Sequence, residues 1–214
     1  MDTITLERTL PRVFSNEEIP GSDIWRQTVQ FRKKEVCLVE AASGGGKSSM
    51  CSYIYGARTD YEGRILFDST DAATLSIDRW LELRRTSLAY LPQDLDLFPE
   101  LSAFDNIMLK NRLTNHVDVK TIGEWLDLLG LSSRTDFPVG RMSIGQQQRV
   151  AIIRALCQPF DFLIIDEPVS HLDARNNEVA ARLIASEAQR QGAGVIVTSV
   201  GNHLHLNYTR RLHL

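Results

Sequence analysis

The chain lacks the features that mark several common protein classes. Its three cysteines, Cys37, Cys51 and Cys157, are an odd number without metal-ligand spacing, which predicts reduced structural thiols and argues against disulfides or a zinc site. No apolar run approaches the roughly 20 residues that span a bilayer, and the initial segment MDTITLERTLPR has no apolar core of a signal or anchor. The net charge of −3 leaves no basic excess to attract nucleic acid. We therefore expect no nucleic-acid partner and no direct membrane insertion.

The remaining composition is that of an ordinary globular protein. Of the 214 residues, 43% are hydrophobic and 24% are charged, which is enough to bury one full core, so we expect a single domain over residues 1–214. Short alternating runs at residues 4–6, 13–14 and 28–31 predict an amino-terminal antiparallel sheet that leads into a strand at 36–39. A further run at 64–67 could add a strand to this sheet.

Helical and strand patterns alternate along the rest of the chain. Apolar residues at helical spacing predict helices over residues 76–85, 101–109, 121–129, 143–158 and 178–191. Short apolar runs predict buried strands at residues 88–91, 162–165 and 195–198. Because residues from about 95 to 150 are mainly helical, we predict an α-helical subdomain inserted into an α/β core.

The segment 41–49, AASGGGKSS, follows an apolar strand and precedes a helix, the order that a phosphate-binding loop requires. Glycines without Cβ atoms let the backbone N–H groups approach phosphates at the positive end of the helix. Lys47 would neutralise the β- and γ-phosphates, and the Ser48 hydroxyl would ligate Mg²⁺. The alternative is a glycine-rich turn that happens to precede Lys-Ser, and Ala41 stands where the usual pattern begins with glycine. The predicted loop comprises Ala41, Ala42, Ser43, Gly44, Gly45, Gly46, Lys47, Ser48 and Ser49.

A second candidate element is the apolar strand that ends in two acids, FLIIDEP at residues 162–168. The strand places Asp166 at the carboxyl edge of a parallel sheet, where ligands of such folds bind. Asp166 would hold Mg²⁺ through water, and Glu167 could polarise an attacking water molecule. Two acids after a strand are also common in surface turns, so assigning this element to a nucleotide site depends on its occurrence together with the lysine loop at 41–49.

With these motifs in order, the sequence resembles the ATP-binding cassette (ABC) ATPases. Residues 142–149, MSIGQQQR, are similar to the family signature LSGGQQQR, Gln93 matches the Q-loop, and residues 170–173, SHLD, match the D-loop. The resemblance extends from about residue 26 to residue 198. It implies an α/β fold with a P-loop NTPase (RecA-like) core, an amino-terminal antiparallel β subdomain and an inserted helical subdomain. The run FPELSAFDNIML is most similar to the branch that serves lipoprotein release, macrolide export and cell division.

The resemblance also implies a dimer. Ser143 stands at a helix N-cap and Gly145 exposes a backbone N–H, so with Gln146 they would present donors to an anion. An ordinary capped helix is the alternative. In the family this segment contacts the γ-phosphate bound by the opposite subunit, and Asp173 would act across the same interface.

Three further assignments follow from the resemblance. Gln93 would contact Mg²⁺ or the lytic water. Phe14 is the first candidate for stacking on adenine and Trp25 the second, with core packing as the alternative for either. The apolar residues Leu95, Leu97 and Phe98 fit a surface that receives a helix of a membrane subunit, or they pack within the helical subdomain.

The sequence departs from the family pattern around the γ-phosphate. The family usually has a histidine after the strand at 195–198, and here that position is Ser199, which can donate a hydrogen bond but carries no positive charge. His203 and His205 in the following loop are the alternative candidates for this role, and surface positions suit both. Ile144 replaces a signature glycine, and Glu40 replaces an apolar residue, so Glu40 is expected to point elsewhere or to be protonated.

These features predict an ATPase subunit that binds ATP and Mg²⁺ and forms a homodimer or heterodimer around them. Glu167, Gln93 and Ser199 are the predicted catalytic residues, and Ser48, Gln93 and Asp166 the predicted metal ligands. We expect a separate transmembrane permease and a cytoplasmic location, peripheral on the inner face of the membrane. The alternative is a nucleotide-gated switch that hydrolyses ATP poorly. A soluble ATPase of DNA repair or translation is disfavoured, because those relatives have coiled coils or tandem cassettes.

Overall fold

The computed structural model describes residues 1–17, 19, 21–168 and 172–214. Within them lie nine strands and six α-helices, with short 3₁₀ turns between some of them. In chain order the elements are β1 (Thr3–Pro11), β2 (Thr28–Arg32), β3 (Val36–Glu40), α1 (Lys47–Ile54), β4 (Tyr61–Phe67), β5 (Thr70–Asp71), α2 (Ile77–Thr86), β6 (Leu88–Leu91), α3 (Ala103–Asn111), α4 (Val119–Leu128), α5 (Ile144–Leu156), β7 (Phe162–Asp166), α6 (Ala174–Gln191), β8 (Gly194–Ser199) and β9 (Arg210–His213).

A five-stranded parallel sheet forms the centre, with the strand order β6-β7-β8-β3-β9. Every residue of β7 and β8 is buried, because the sheet is covered on both faces. Leu163 and Ile165 belong to one hydrophobic cluster, and Phe162 and Ile164 belong to the other, as the alternation of side chains along a strand requires. All three cysteines are buried and free, and burial raises the pKa of each thiol.

The amino-terminal part forms a four-stranded antiparallel sheet in the order β2-β1-β4-β5. The predicted addition of residues 64–67 to this sheet is correct. The predicted strand at 13–14 is wrong, because these residues lie in a 3₁₀ turn, Arg12–Phe14, that leaves Val13 69% exposed. Together the parallel core, the antiparallel sheet and the helices inserted between β6 and β7 confirm the predicted α/β fold class.

Capping side chains define several helix starts. Ser102, Asp118 and Ser143 each accept a hydrogen bond from the backbone N–H three residues later, which satisfies one free donor of the first turn. Helix α6 begins at Ala174, four residues before its predicted start, because Asp173 caps it in the same way. The limits of the helical insertion, residues 95–150, remain a prediction, since α5 packs in the core cluster well beyond residue 150. No helix in the part of the chain that the structure describes is long and apolar enough to cross a lipid bilayer.

Candidate nucleotide site

The phosphate loop bends between β3 and α1 through glycines in the left-handed region. Gly44 has φ 82°, and Gly46, the N-cap of α1, has φ 90°. A Cβ on Gly46 would lie 3.0 Å from the Trp25 ring and 3.1 Å from the Phe14 ring, so the aromatic rings leave room for glycine only. The segment therefore folds as a tight, glycine-dependent turn at the positive end of a helix, as a phosphate cradle requires.

Lys47 and Glu167 meet at the centre of the site. Lys47 is 4% exposed, and its Nζ donates hydrogen bonds to the Ala42 carbonyl at 2.9 Å and the Ala41 carbonyl at 3.3 Å. The same Nζ lies 3.3 Å from Glu167 Oε1. The two side chains are distant in sequence but adjacent in space because β3 and β7 end at the same edge of the parallel sheet. A triphosphate in this loop would compete with these oxygens for the ammonium group.

Thr198 holds both acids in place. Its hydroxyl donates to Asp166 Oδ1 at 2.5 Å, and Asp166 is 2% exposed. Its carbonyl accepts a 3.3 Å hydrogen bond from the backbone N–H of Glu167, whose φ of 49° is left-handed. Sequence reasoning missed Thr198, although it lies next to the end of β8 and pairs in register with Asp166 of β7.

The predicted magnesium ligands supply one hydroxyl, one amide and one carboxylate. Ser48 and Gln93 are exposed, whereas Asp166 is buried. Within the described ranges no group of three or more His, Cys, Asp or Glu side chains could hold a metal ion. The donor set nevertheless fits Mg²⁺, which prefers oxygen and completes its shell with phosphate and water oxygens.

Trp25 and Phe14 occupy different environments beside the loop. Trp25 is 2% exposed, and its indole N–H donates to the Gly45 carbonyl at 3.0 Å. Phe14 is half-buried and so retains surface for an adenine ring. Of the outer loop residues, Ala42 and Ser43 are exposed, and the Ser49 hydroxyl accepts a hydrogen bond from Arg58 at 3.0 Å.

The two departures at the start of the loop have local explanations. A Cβ on Gly45 would lie 3.0 Å from the Ala41 Cβ, so a methyl group at position 41 fits only because position 45 is glycine. The half-buried Glu40 carboxylate lies 3.7 Å from Arg211 Nη1. An opposite charge at this distance offsets the repulsion that Glu40 would exert on phosphates.

Ser199 is fully buried, and its hydroxyl donates to the Asn202 carbonyl. His203 is half-buried and stacks edge-on against Tyr208, with ring centroids 5.3 Å apart, while His205 is exposed. No hydrogen bond or ion pair joins any of these side chains to the phosphate loop in the described residues. Their predicted roles at the γ-phosphate remain predictions.

The signature segment and Asp173 cap helices away from the loop. The Ser143 hydroxyl accepts from Gln146 N–H at 3.3 Å, and Gln146 Oε1 accepts from Ser143 N–H at 3.0 Å. Gly145 is half-buried, and Ile144 is 49% exposed. Asp173 is exposed and caps α6. Residues 170 and 171 of the predicted D-loop lie outside the described residues.

The apolar residues after Gln93 divide between packing and exposure. Leu95 is 9% exposed and belongs to the core, and Leu97 is half-buried and packs against it. Phe98 is 53% exposed. Packing within the fold therefore accounts for the two leucines, and Phe98 remains available to a partner.

Comparison with known proteins assigns the chain to a family. The model of the ABC transporter family matches residues 26–170. The lipoprotein-releasing system ATP-binding protein LolD of Novosphingobium aromaticivorans is 29% identical over 99% of this chain and 97% of its own length. The macrolide export ATP-binding/permease protein MacB of Brucella melitensis is 29% identical over 87% of this chain, which spans 29% of MacB. The dimeric structure of MJ0796, a bacterial ABC transporter cassette, superposes with a TM-score of 0.76 at 26% identity and covers 92% of this chain and 87% of MJ0796.

Proposed function

Because the chain belongs to the ABC transporter family as one of its ATP-binding, ATP-hydrolysing cassettes, we propose that it closes on Mg-ATP as a dimer and drives a separate membrane permease. The observation that supports this most directly is the position of Lys47. Its ammonium lies inside the glycine turn and 3.3 Å from Glu167 Oε1. Phosphate oxygens entering the turn would take over the ammonium and free Glu167 to act as general base towards water.

The chain's own residues define the steps at this site. The loop N–H groups and Lys47 bind the phosphates, and Phe14 stacks on the base. Ser48, Gln93 and, through water, Asp166 would hold Mg²⁺, which when bound supplies charge to neutralise the phosphates. Glu167 accepts the proton of the attacking water.

A head-to-tail dimer would complete each site. Ser143 and Asp173 make no hydrogen bond or ion pair with the phosphate loop within the described part of the chain, yet Ser143 begins a 13-residue helix whose free N–H groups suit a phosphate. Rotation of a second copy would bring its α5 N-terminus to the γ-phosphate in this copy. The MJ0796 relative, whose structure is dimeric, supports pairing of two cassettes. The partner is a second copy or a similar cassette.

A cavity between the core and the helical insertion fits a permease segment. It has a volume of about 240 Å³ and is lined in part by Tyr55, Tyr90 and the exposed Phe98. Lys110 also lines it, and in the residues described no hydrogen bond or ion pair engages the Lys110 ammonium. Burial and then the neighbouring Arg154 charge lower the pKa of Lys110. An apolar helix with an acidic residue would complement this cavity and hold the chain on the inner face of the membrane.

Phosphate release by the purified chain tests the proposal. We expect Mg-ATP turnover by the wild type and a loss of at least about 100-fold in Glu167→Gln, because the amide accepts no proton. Glu167→Gln should also accumulate as a dimer on chromatography in Mg-ATP. A wild-type rate no higher than that of Glu167→Gln would contradict the hydrolytic function.

One observation favours the second candidate, a nucleotide-gated switch with poor hydrolysis. The Ser199 hydroxyl already donates to the Asn202 carbonyl, and serine carries no charge for the transition state. In that case the wild type would dimerise with Mg-ATP while releasing phosphate no faster than Glu167→Gln.

A further inference from the structure

Asn177 ties helix α6 to the loop that follows Ser199. It lies in the first turn of α6 and is 8% exposed. Its Nδ2 donates to the His203 carbonyl at 3.1 Å, and its Oδ1 accepts from the His205 N–H at 2.9 Å. Both ends of one buried amide therefore fix the backbone of another segment. Breaking these two hydrogen bonds is costly, because the donor and acceptor groups would remain buried without partners.

The fixed segment begins at the nucleotide site. Strand β8 ends at Thr198 and Ser199, and Thr198 holds Asp166. The loop is then held twice, by the Ser199 hydroxyl on the Asn202 carbonyl and by Asn177. The backbone of Ser199 is fixed by β3 and by its carbonyl, which accepts from the Ala41 N–H at 3.2 Å. Asn177 therefore sets the loop beyond Ser199, including the Asn202 carbonyl to which the Ser199 hydroxyl donates.

The neighbouring residue, Asn176, faces the other way. Its Oδ1 accepts from Arg149 Nη1 at 2.9 Å, and its Nδ2 donates to Asp173 Oδ2 at 2.7 Å. Arg149 Nε in turn donates to the Gly145 carbonyl at 3.1 Å. One turn of helix is thus bonded to the signature segment on one side and to the loop after Ser199 on the other.

We propose that Asn177 is a positioning residue that couples the two nucleotide sites, an inference that rests on the dimer proposed above. Asp173 and the signature segment would contact the nucleotide of the partner, while Asn177 holds the loop at the chain's own nucleotide. Closure on the partner's ATP moves the first turn of α6, and Asn177 carries that movement to the loop and so to the Asn202 carbonyl that engages the Ser199 hydroxyl. The coupling element is a rigid turn with hydrogen bonds at both ends.

Asn111 provides a matched control for an Asn177→Ala variant. Asn111 is 3% exposed, its Nδ2 donates to the Val117 carbonyl at 2.7 Å, and its Oδ1 accepts from Val117 N–H at 3.1 Å. It makes the same pair of backbone hydrogen bonds inside the helical insertion. Asn111→Ala and Asn177→Ala should therefore lower the thermal midpoint by similar amounts.

Only Asn177→Ala should change the reaction. We expect its kcat to fall about 10-fold or more through displacement of the loop, with KM for ATP within about 2-fold of the wild type because the phosphate loop is untouched. Its ATP dependence should also lose cooperativity between sites, whereas Asn111→Ala keeps it. Equal kcat values for the two variants would overturn the proposal. If Asn177→Ala does not fold, the isosteric Asn177→Asp, which loses the donor to His203, replaces it.

Amide hydrogen exchange tests the same inference without hydrolysis. Addition of Mg-ATP should protect the amides of residues 199–207 in the wild type and in Asn111→Ala, but not in Asn177→Ala. Retained ATP-dependent protection in Asn177→Ala would refute the role of Asn177. Absence of turnover with this pattern of protection intact would count against the hydrolytic function alone.

Discussion

Lys47 is stabilised in its buried position by three oxygens, two loop carbonyls and one oxygen of Glu167. These interactions satisfy the ammonium group without phosphate, which is why a buried lysine is tolerated there. They also mean that nucleotide binding exchanges one set of oxygens for another. The Lys47 ammonium should therefore contribute more to the free energy of triphosphate binding than any other single group of the loop.

Lys47→Ala should therefore abolish high-affinity binding. Removing a buried cation from a charged contact costs about 3 kcal/mol, a factor of about 100 in Kd. Titration calorimetry with Mg-ATP measures the loss. Lys33→Ala is the matched control, because Lys33 pairs with Asp161 at 2.5 Å, outside the phosphate loop, and its Kd should equal that of the wild type. Retained micromolar affinity in Lys47→Ala would show that the loop is not the phosphate site.

At the scale of elements, the strands were the easiest to predict. Residues 162–165 and 195–198 are continuous apolar runs, and both form buried strands, because burial on both faces leaves little choice of residue type. The turn at Val13 was missed because a two-residue apolar run does not distinguish a strand from a turn. The contacts of Thr198 and Trp25 were missed for another reason, since they join residues that are brought together only by sheet register and loop packing.

Helix α4 contains an exposed glycine that the fold does not need. Gly123 lies in its middle, and an added Cβ there would meet nothing within 4 Å. Gly123→Ala should raise the free energy of unfolding by about 0.5–1 kcal/mol, because alanine loses less backbone entropy in a helix. Chemical denaturation measures the change, and phosphate release should match the wild type.

A Gly46→Ala variant should instead have a lower free energy of unfolding, since the φ of 90° at Gly46 and the nearby Trp25 and Phe14 rings exclude a Cβ.

At the scale of the whole molecule, the helical insertion is joined to α6 by a charge cluster around the buried Glu187. His116 lies between α3 and α4, and its Nε2 is 3.7 Å from Glu187 Oε1 and 2.9 Å from Arg190 Nη2. Glu187 is 5% exposed and accepts from Arg190 and Gln191. This charge cluster, the joint between the helical insertion and α6, lies outside the predicted nucleotide residues. Its loss should therefore lower the free energy of unfolding before it changes the rate of hydrolysis.

This joint should weaken in acid. Burial, and then the Arg190 charge, lower the pKa of His116 below its ordinary value of 6.5. Burial raises the pKa of Glu187, but hydrogen bonds from Arg190 and Gln191 outweigh it and leave the pKa below 4.5. Each group binds fewer protons in the folded state than in the unfolded state. Their contribution to the free energy of unfolding is therefore present above the ordinary values of 6.5 and 4.5, and it is lost as the pH falls below them. Denaturation from pH 7 to 5 should show a decline in the free energy of unfolding that His116→Gln reduces and that the exposed His213→Gln leaves unchanged. An identical decline in all three proteins would exclude His116 as its source.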